Sequence, residues 1–162
     1  MSHALIRKST VPAPATPPAE AARHYGHSSR GASLGLSANR TDDLIRAVKK
    51  GLPIRALETF SAVTGFSPSR IASVIEIPDR TLARRKAAGR LAPDESERLL
   101  RIATVFEKAV GLFEGDVSEA LNWLATPKEA LGNNIPLSYS RFEPGAREVE
   151  NLIGRLEHGV FT

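Results

Sequence analysis

Apolar residues recur at steps of three and four from about Thr41 onward, which is the spacing of a helix with one buried face. The pattern is strongest in a long helix predicted to begin at Pro93. Its apolar positions alternate by four and three over four turns: Leu99, Ala103, Phe106, Val110 and Phe113. No strand pattern interrupts the series, so the sequence predicts an all-α fold.

Prolines and capping residues mark the starts of the predicted helices, and glycines mark most of their ends. The predicted helices outside the central pair are 41–51, 53–65, 93–114, 116–127 and 144–159. Thr41 and Asp116 are expected to act as N-caps, because their side-chain oxygens can accept a hydrogen bond from the first turn. The segment 128–136 contains a Gly-Asn-Asn run that favours turn geometry, so it is predicted to be a link.

The segment 67–89 is predicted to form two short helices with a tight turn between them. Ser67 can cap the first helix, Pro78 breaks it, and Asp79 is expected to cap the second, which ends at Gly89. The second helix has one large apolar residue, Leu82, as its anchor to the core. Two helices, a short turn and a second helix that buries little are typical of a helix-turn-helix, whose second helix enters the major groove of DNA.

This second helix is strongly basic. Arg80, Thr81, Arg84 and Arg85 fall on one helical face. The predicted DNA-binding set comprises these four residues and two further basic side chains: Arg80, Thr81, Arg84, Arg85, Lys86 and Arg90. The alternative is a solvated basic helix on an ordinary helical protein.

The role of each DNA-binding candidate stays open at this point. Arg84 and Arg85 could read guanine edges by bidentate hydrogen bonds, or contact phosphate without reading sequence. Thr81 could contact a thymine methyl group or a phosphate, or only help to cap the helix.

Bulk composition excludes several classes of site. The 162 residues include no cysteine, which excludes disulfides and thiolate sites, and the four histidines form no recognisable ligand pair. We therefore expect no metal, cofactor or catalytic site. No apolar run approaches the ~20 residues of a membrane span, and no secretory signal is present, so a cytoplasmic protein is expected. The net charge of +4 permits nucleic-acid binding.

Charge is distributed unevenly along the chain. Between Pro93 and Glu119, seven acids stand against three basic residues, so this segment is expected to avoid phosphate. Residues 1–38 are rich in proline and small residues and are predicted to be a disordered tail, with a transit peptide as the alternative.

An ordered series of motifs carries a family resemblance from about Asp42 to Val160. The motifs are Arg80-Thr-Leu-Ala-Arg-Arg-Lys, Gly89-Arg-Leu, Glu95-Ser-Glu-Arg-Leu-Leu-Arg, Ala120-Leu-Asn-Trp-Leu, Pro136-Leu, Gly145-Ala-Arg-Glu-Val-Glu and Gly154-Arg-Leu-Glu-His-Gly-Val. This series resembles the antitoxins of the Xre/MbcA/ParS type. The resemblance implies an Xre-like helix-turn-helix bundle at 39–114, followed by a small helical toxin-binding domain at 115–162.

The resemblance also implies a function. A bacterial type II antitoxin of this kind would bind the promoter of its own operon, as a homodimer within a larger toxin–antitoxin complex. It would block a RES-type toxin, a class that resembles ADP-ribosyltransferases and consumes NAD. Carried over to this chain, toxin contact is implied for the last helix and tail: Arg155, Glu157, His158, Val160 and Phe161.

The sequence departs from the family in one place. After Pro136-Leu137 the family commonly has a Leu-Leu pair and then a threonine, whereas this chain has Tyr139, Arg141 and Phe142. These larger or differently charged residues bear on local packing and on which toxin is matched.

Several alternatives remain open from the residues alone. The chain could be a transcription regulator without a toxin, or an enzyme, although no catalytic constellation supports the latter. Trp123 could be a core residue or an interface residue. His158 could be a favourable partner of the helix dipole or a catalytic group, and Phe161 could pack back onto the last helix or belong to an interaction surface.

Overall fold

The computed structural model describes residues 30–38 and 40–159. Within these residues the chain forms eight α-helices, numbered α1 to α8, and two 3₁₀ helices, at Ala32–Leu34 and Glu129–Leu131. The α-helices are Thr41–Lys50, Ile54–Thr64, Pro68–Val74, Asp79–Ala88, Pro93–Leu112, Val117–Ala125, Pro136–Tyr139 and Glu143–Glu157. The same ranges contain no β-strand, only two isolated bridges. The predicted all-α fold is confirmed.

Helix α5, the long helix predicted from Pro93, is the centre of the molecule. It packs against α1, α6 and α8. Four of its predicted apolar positions, among them Leu99 and Phe106, are fully buried. The rings of Phe60 in α2 and Phe106 meet edge to face with their centroids 5.5 Å apart. One apolar core runs from Leu34 to Ile153, so the helices on both sides of α5 share it.

Two of the four predicted helix caps are present. The backbone N–H of Arg70 donates to the hydroxyl of Ser67 at 3.2 Å, and that of Glu119 donates to the carboxylate of Asp116 at 2.9 Å. The caps predicted at Thr41 and Asp79 are wrong, since α1 and α4 begin one residue earlier and have Arg40 and Pro78 at the N-cap position. Asp79 instead lies in the first turn of α4, where its negative charge interacts favourably with the positive end of the helix dipole.

The predicted link at 128–136 contains more structure than its composition indicates. Gly132 and Asn133 have positive φ angles of 62°, as expected for a turn. The 3₁₀ helix before them buries Leu131, and the short helix α7 begins at Pro136. The link is therefore part of the packed fold.

The predicted disordered tail is too long at its C-terminal end. Residues 30–38 belong to the fold, because Leu34 is buried in the core and the 3₁₀ helix packs against α2 and α5. Few large apolar residues precede Thr41, so composition alone concealed this anchor. The rest of the predicted tail, residues 1–29, lies outside the described residues.

A buried carboxylate on α5 holds this N-terminal anchor. Glu107 accepts hydrogen bonds from the backbone N–H of Gly31 at 3.1 Å and of Ser33 at 2.8 Å, and from the Ser33 hydroxyl at 2.6 Å. Burial raises the pKa of the Glu107 carboxyl, while these three hydrogen bonds oppose the rise. The anchor is thus a buried carboxyl group in the C-terminal half of the central helix.

Replacing Ser33 with alanine is expected to destabilise the fold. Ser33→Ala removes one of the three donors to a buried carboxylate, a loss of about 1.5–3 kcal/mol in the free energy of unfolding. Equilibrium urea unfolding measures this loss. Ser37→Ala, at an exposed serine of the same segment, is the control and should change stability little. Equal effects of the two substitutions would contradict the role given to Ser33.

Glu107 also predicts a pH dependence of stability. Its pKa is raised in the native state, so over the interval above the ordinary glutamate pKa of 4.5 the native state holds a proton that the unfolded state has released. The free energy of unfolding therefore falls as pH rises through that interval. Glu107→Gln removes the titration. The stability of the wild type relative to Glu107→Gln should be greatest below about pH 4.5 and decline above it, in urea unfolding at a series of pH values. A relative stability that grows with pH would contradict this.

Candidate DNA-binding and toxin-binding surfaces

Helices α3 and α4 form the predicted helix-turn-helix. The turn between them lacks glycine, and Glu76 takes the left-handed conformation with φ 59°. The backbone N–H of Ile77 donates to the Ala72 carbonyl at 2.8 Å, and that of Glu76 donates to the Ser73 carbonyl at 3.2 Å. This pair of bonds is the Schellman arrangement that usually employs glycine. The fold thus holds Glu76 in a conformation that non-glycine residues seldom adopt.

Arginines from later in the chain hold this turn. Arg98 Nε of α5 donates to the Ile75 carbonyl at 2.7 Å. Arg141 Nη1, which follows α7, lies 3.7 Å from Glu76 Oε1. Sequence reasoning missed both contacts, since each joins residues more than twenty positions apart. Together they fix the turn against both the central helix and the C-terminal helices.

Helix α4 presents most of its basic side chains to solvent. Leu82 is its one buried residue, as predicted. Arg80, Arg84 and Lys86 are exposed, and Thr81 is half-buried. Arg84 Nη2 lies 3.5 Å from the Thr81 hydroxyl, at the outer limit of a hydrogen bond. These four side chains, together with the exposed Arg90, form the accessible part of the predicted DNA-binding set.

Arg85 does not belong to that exposed part. Its guanidinium forms a two-pronged ion pair with Glu95 on α5, with Nε 2.8 Å from Oε2 and Nη2 3.1 Å from Oε1. Glu95 Oε2 also accepts the backbone N–H of Ala92 at 2.8 Å, which caps the start of α5. The hydrogen bond to Glu95 raises the pKa of Arg85, so its charge is permanent. The side chain predicted to read guanine or phosphate therefore ties α4 to α5 in this structure.

Arg90 is likewise engaged within the chain. Its Nη1 donates to the carbonyl of Gly51, between α1 and α2. Two backbone bonds run beside this contact, from Ile54 N–H to the Gly89 carbonyl at 3.0 Å and from Leu91 N–H to the Leu52 carbonyl at 2.9 Å. A Cβ atom at Gly51 would lie 2.2 Å from the Leu91 carbonyl oxygen, so this close approach requires glycine. Arg90 thus ties the end of α4 to the segment between α1 and α2.

The residues implied for toxin contact lie at the end of α8. Arg155 is half-buried in the last turn, while Glu157 and His158 are exposed, and His158 is the C-cap residue. Val160 and Phe161 lie outside the described residues. The predicted buried stripe of α8 is confirmed at Val149 and Ile153, which orients this last turn.

Trp123 on α6 combines core packing with partial exposure. It is half-buried and packed against the core. The Lys128 ammonium lies 5.1 Å from the centre of its indole ring, and burial lowers the pKa of Lys128. The structure therefore favours the core interpretation of Trp123.

The junction between α7 and α8 is closely packed. A Cβ atom at Gly145 would lie 2.0 Å from the Tyr139 carbonyl oxygen, so α8 crosses the end of α7 at a distance that only glycine permits. Ser140 is fully buried and donates to the Pro136 carbonyl at 2.7 Å. Tyr139, Arg141 and Phe142, which depart from the family pattern, therefore lie where the backbone is closely packed.

Two family models match the chain. Residues 43–103 match the antitoxin Xre-like helix-turn-helix domain, and residues 108–159 match the antitoxin Xre/MbcA/ParS C-terminal toxin-binding domain. A protein called Antitoxin Xre from Yersinia enterocolitica is 40% identical over 130 residues, which cover 80% of this chain and 88% of that protein. The chain belongs to the Xre antitoxin family. A second Antitoxin Xre, from Photorhabdus laumondii, is 33% identical over 131 residues with the same coverage.

Membership of the family identifies a helix-turn-helix antitoxin and points to a regulatory rather than an enzymatic protein. Across residues 30–38 and 40–159, no group of acidic and histidine side chains is arranged to hold a metal ion. In the same ranges, no helix has both the length and the apolar character needed to cross a membrane.

Substituting the two neighbouring arginines of α4 should have different effects on stability. Arg85→Ala leaves the buried Glu95 carboxylate without its partner, so the urea midpoint should fall. Arg84→Ala removes an exposed side chain and should leave the midpoint unchanged. Arg85→Lys should recover only part of the loss, because lysine cannot form the two-pronged contact. Equal midpoints for Arg84→Ala and Arg85→Ala would contradict a stabilising ion pair.

Proposed function

We propose that this antitoxin neutralises a RES-type, NAD-consuming toxin through residues 115–162 and represses its own operon through residues 39–114. The observation that carries the proposal is the match of residues 108–159 to a toxin-binding domain, in a chain whose preceding helices match an Xre-like helix-turn-helix. The protein acts by binding alone, without a cofactor, in the bacterial cytoplasm.

The DNA-binding part of the proposal rests on the exposed face of α4. Recognition helices read base edges with their N-terminal half. Arg80 is exposed in that half with Thr81 next to it, and Arg84 is exposed one turn later, just past the midpoint of the helix. Lys86 contacts phosphate nearer the C-terminal end. Arg85 and Arg90 act by positioning α4, since their guanidinium groups bind Glu95 and the Gly51 carbonyl.

A homodimer on promoter DNA follows from the same mode of binding. Helix-turn-helix proteins read two half-sites about 34 Å apart, so that a two-fold protein matches a palindromic operator. We propose that two copies of this chain bind the operator within a larger complex with the toxin.

The toxin-binding part of the proposal rests on the end of α8. Arg155, Glu157 and His158 lie together in the last turn and at the C-cap. Together with Val160 and Phe161, which follow them in the sequence, they combine charged and apolar side chains that could enter a toxin active site and exclude NAD.

The first test is co-purification of the untagged chain with the tagged product of the neighbouring reading frame. A stable complex in which the neighbour loses its toxicity and its NAD hydrolysis is the expected result. Failure to associate would favour the alternative, a helix-turn-helix regulator without a toxin partner. Turnover of NAD or another substrate by the isolated chain would overturn the proposal of a purely binding protein.

Two variants should separate the two activities. Arg80→Ala with Arg84→Ala should weaken promoter binding by at least the ~1–3 kcal/mol of one bidentate base contact and leave toxin neutralisation intact. Deletion of Val160–Thr162 should do the reverse. Promoter binding is measured by fluorescence anisotropy at several salt concentrations, and neutralisation by growth of cells expressing the toxin.

Arg147→Ala is the matched control for these arginines, because Arg147 is an exposed arginine on α8. It should leave promoter affinity unchanged. If both the double substitution and the deletion damaged both activities equally, the division of labour between the two parts of the chain would be wrong.

A further inference from the structure

Two large apolar side chains are exposed around α7. In the part of the chain that the structure describes, three large hydrophobic residues are conspicuously exposed: Ile45 at 46%, Ile135 at 39% and Phe142 at 53%. Ile135 immediately precedes α7, and Phe142 follows it after two residues. Both lie within the stretch that matches the toxin-binding domain. The exposed apolar surface of this half of the antitoxin is thus concentrated at one short helix.

Neither side chain caps the helix that it precedes. Ile135 is the N-cap residue of α7 and Phe142 is the N-cap residue of α8, and neither side chain forms a capping hydrogen bond. Serine, threonine, aspartate and asparagine stabilise a helix from this position, whereas apolar residues do not. The Phe142 side chain therefore does not cap α8, and about half of its surface is exposed instead of packed against the core.

Backbone hydrogen bonds span the segment between the two side chains. The Tyr139 N–H donates to the Ile135 carbonyl at 2.9 Å, and the Phe142 N–H donates to the Tyr139 carbonyl at 3.4 Å. Ile135 and Phe142 thus flank the same four-residue helix, and the backbone of each is extended. The close contact of Gly145 with the Tyr139 carbonyl fixes this backbone against α8.

Arg141 completes the surface. Its guanidinium lies 4.7 Å from the centre of the Phe142 ring, and its carbonyl accepts a hydrogen bond from Arg101 of α5. An aromatic ring stacked with arginine on a rigid backbone is the composition that protein interfaces favour. The arrangement is already formed in the free chain, so binding a partner would cost little side-chain entropy.

The size of a protein interface argues for a contact beyond the end of α8. Specific interfaces engage roughly 20–30 residues on each side, far more than the last turn of α8 and the five residues after Glu157 supply. We infer that Ile135, Arg141 and Phe142 form a second toxin contact, in which an apolar pocket of the toxin receives the Phe142 ring. This inference rests on the proposed function as an antitoxin.

Phe142→Ser tests the inference because it changes stability and binding in opposite directions. Serine can cap α8, so the melting temperature of the free antitoxin should stay or rise. The affinity for the purified toxin should fall about 30-fold, which corresponds to ~2 kcal/mol at an interface hot spot. A residue with only a structural role could not lose affinity while keeping stability. Calorimetric titration of the full chain into the toxin measures the affinity.

Three further variants serve as comparisons. Ile45→Ser removes an equally exposed apolar residue outside the toxin-binding domain and should change toxin affinity less than twofold. Ile135→Ser should weaken toxin binding about tenfold. Phe142→Leu keeps an apolar side chain and should lose less than fivefold, which provides a readout if the serine variant does not fold. Promoter binding should be unchanged in all three.

The outcomes separate the inference from the proposed function. If the wild type binds the toxin and Phe142→Ser binds equally well, the second contact is refuted and the antitoxin function stands. If Phe142→Ser instead lowers the mass of the free antitoxin in light scattering with toxin affinity unchanged, the surface binds a second copy of this chain and the inference is wrong. If the wild type does not bind the toxin at all, the proposed function fails as well.

Discussion

The orientation of helix α4 depends on the carboxylate of Glu95. Helix α4 buries only Leu82, and one side chain cannot fix the direction of a helix. The two-pronged contact between Arg85 and Glu95 adds a second attachment point with a defined plane. The same carboxylate caps α5 through Ala92, so the start of the central helix and the direction of the DNA-reading helix are set by one group. The cost of desolvating a buried ion pair largely offsets the attraction between its charges, so the pair adds little net stability. Its clearest contribution here is to fix the geometry of α4.

The acidic segment that follows the basic helix has a structural rather than a repulsive role at its start. Glu95 and Glu107 are buried, and Asp94 and Glu97 pair with Arg98 and Arg101. Several charges of this segment are neutralised by partners within the chain. Repulsion of phosphate, which the sequence predicts for the segment, therefore does not account for all of its acidic residues. Internal pairing engages the partly buried Arg85 and Arg98 and leaves Arg80, Arg84 and Lys86 as the exposed basic side chains of α4. Fewer basic side chains are therefore unpaired on α4 than its sequence alone indicates.

Local signals in the sequence were enough for most of the helices and for the side chains that they bury. The steps of three and four located α5 and α8, and Leu82 was identified as the anchor of α4 because it is the one large apolar residue there. Caps at Ser67 and Asp116 were predictable because the partners lie three residues apart. The contacts that set the candidate site were not predictable in this way. Arg85 and Glu95 are ten positions apart and Ser33 and Glu107 are 74 apart, and neither pair leaves a periodic signal. The exposed apolar residues beside α7 were also missed as a pair, because a single exposed isoleucine or phenylalanine is ordinary until the fold shows that it neither caps nor packs.

Both halves of the antitoxin are functional units that share a core. Helix α5 packs on α1 from one side of the chain and on α6 and α8 from the other. The turn of the helix-turn-helix is contacted by Arg98 of α5 and by Arg141 beside the α7–α8 junction, and the Arg141 guanidinium also lies over the ring of the exposed Phe142. The pair of Arg141 with Glu76 is 3.7 Å long and exposed at both side chains, so it contributes little to holding the two halves together. The apolar core that both halves share on α5 is therefore what fixes the C-terminal helices against the helix-turn-helix.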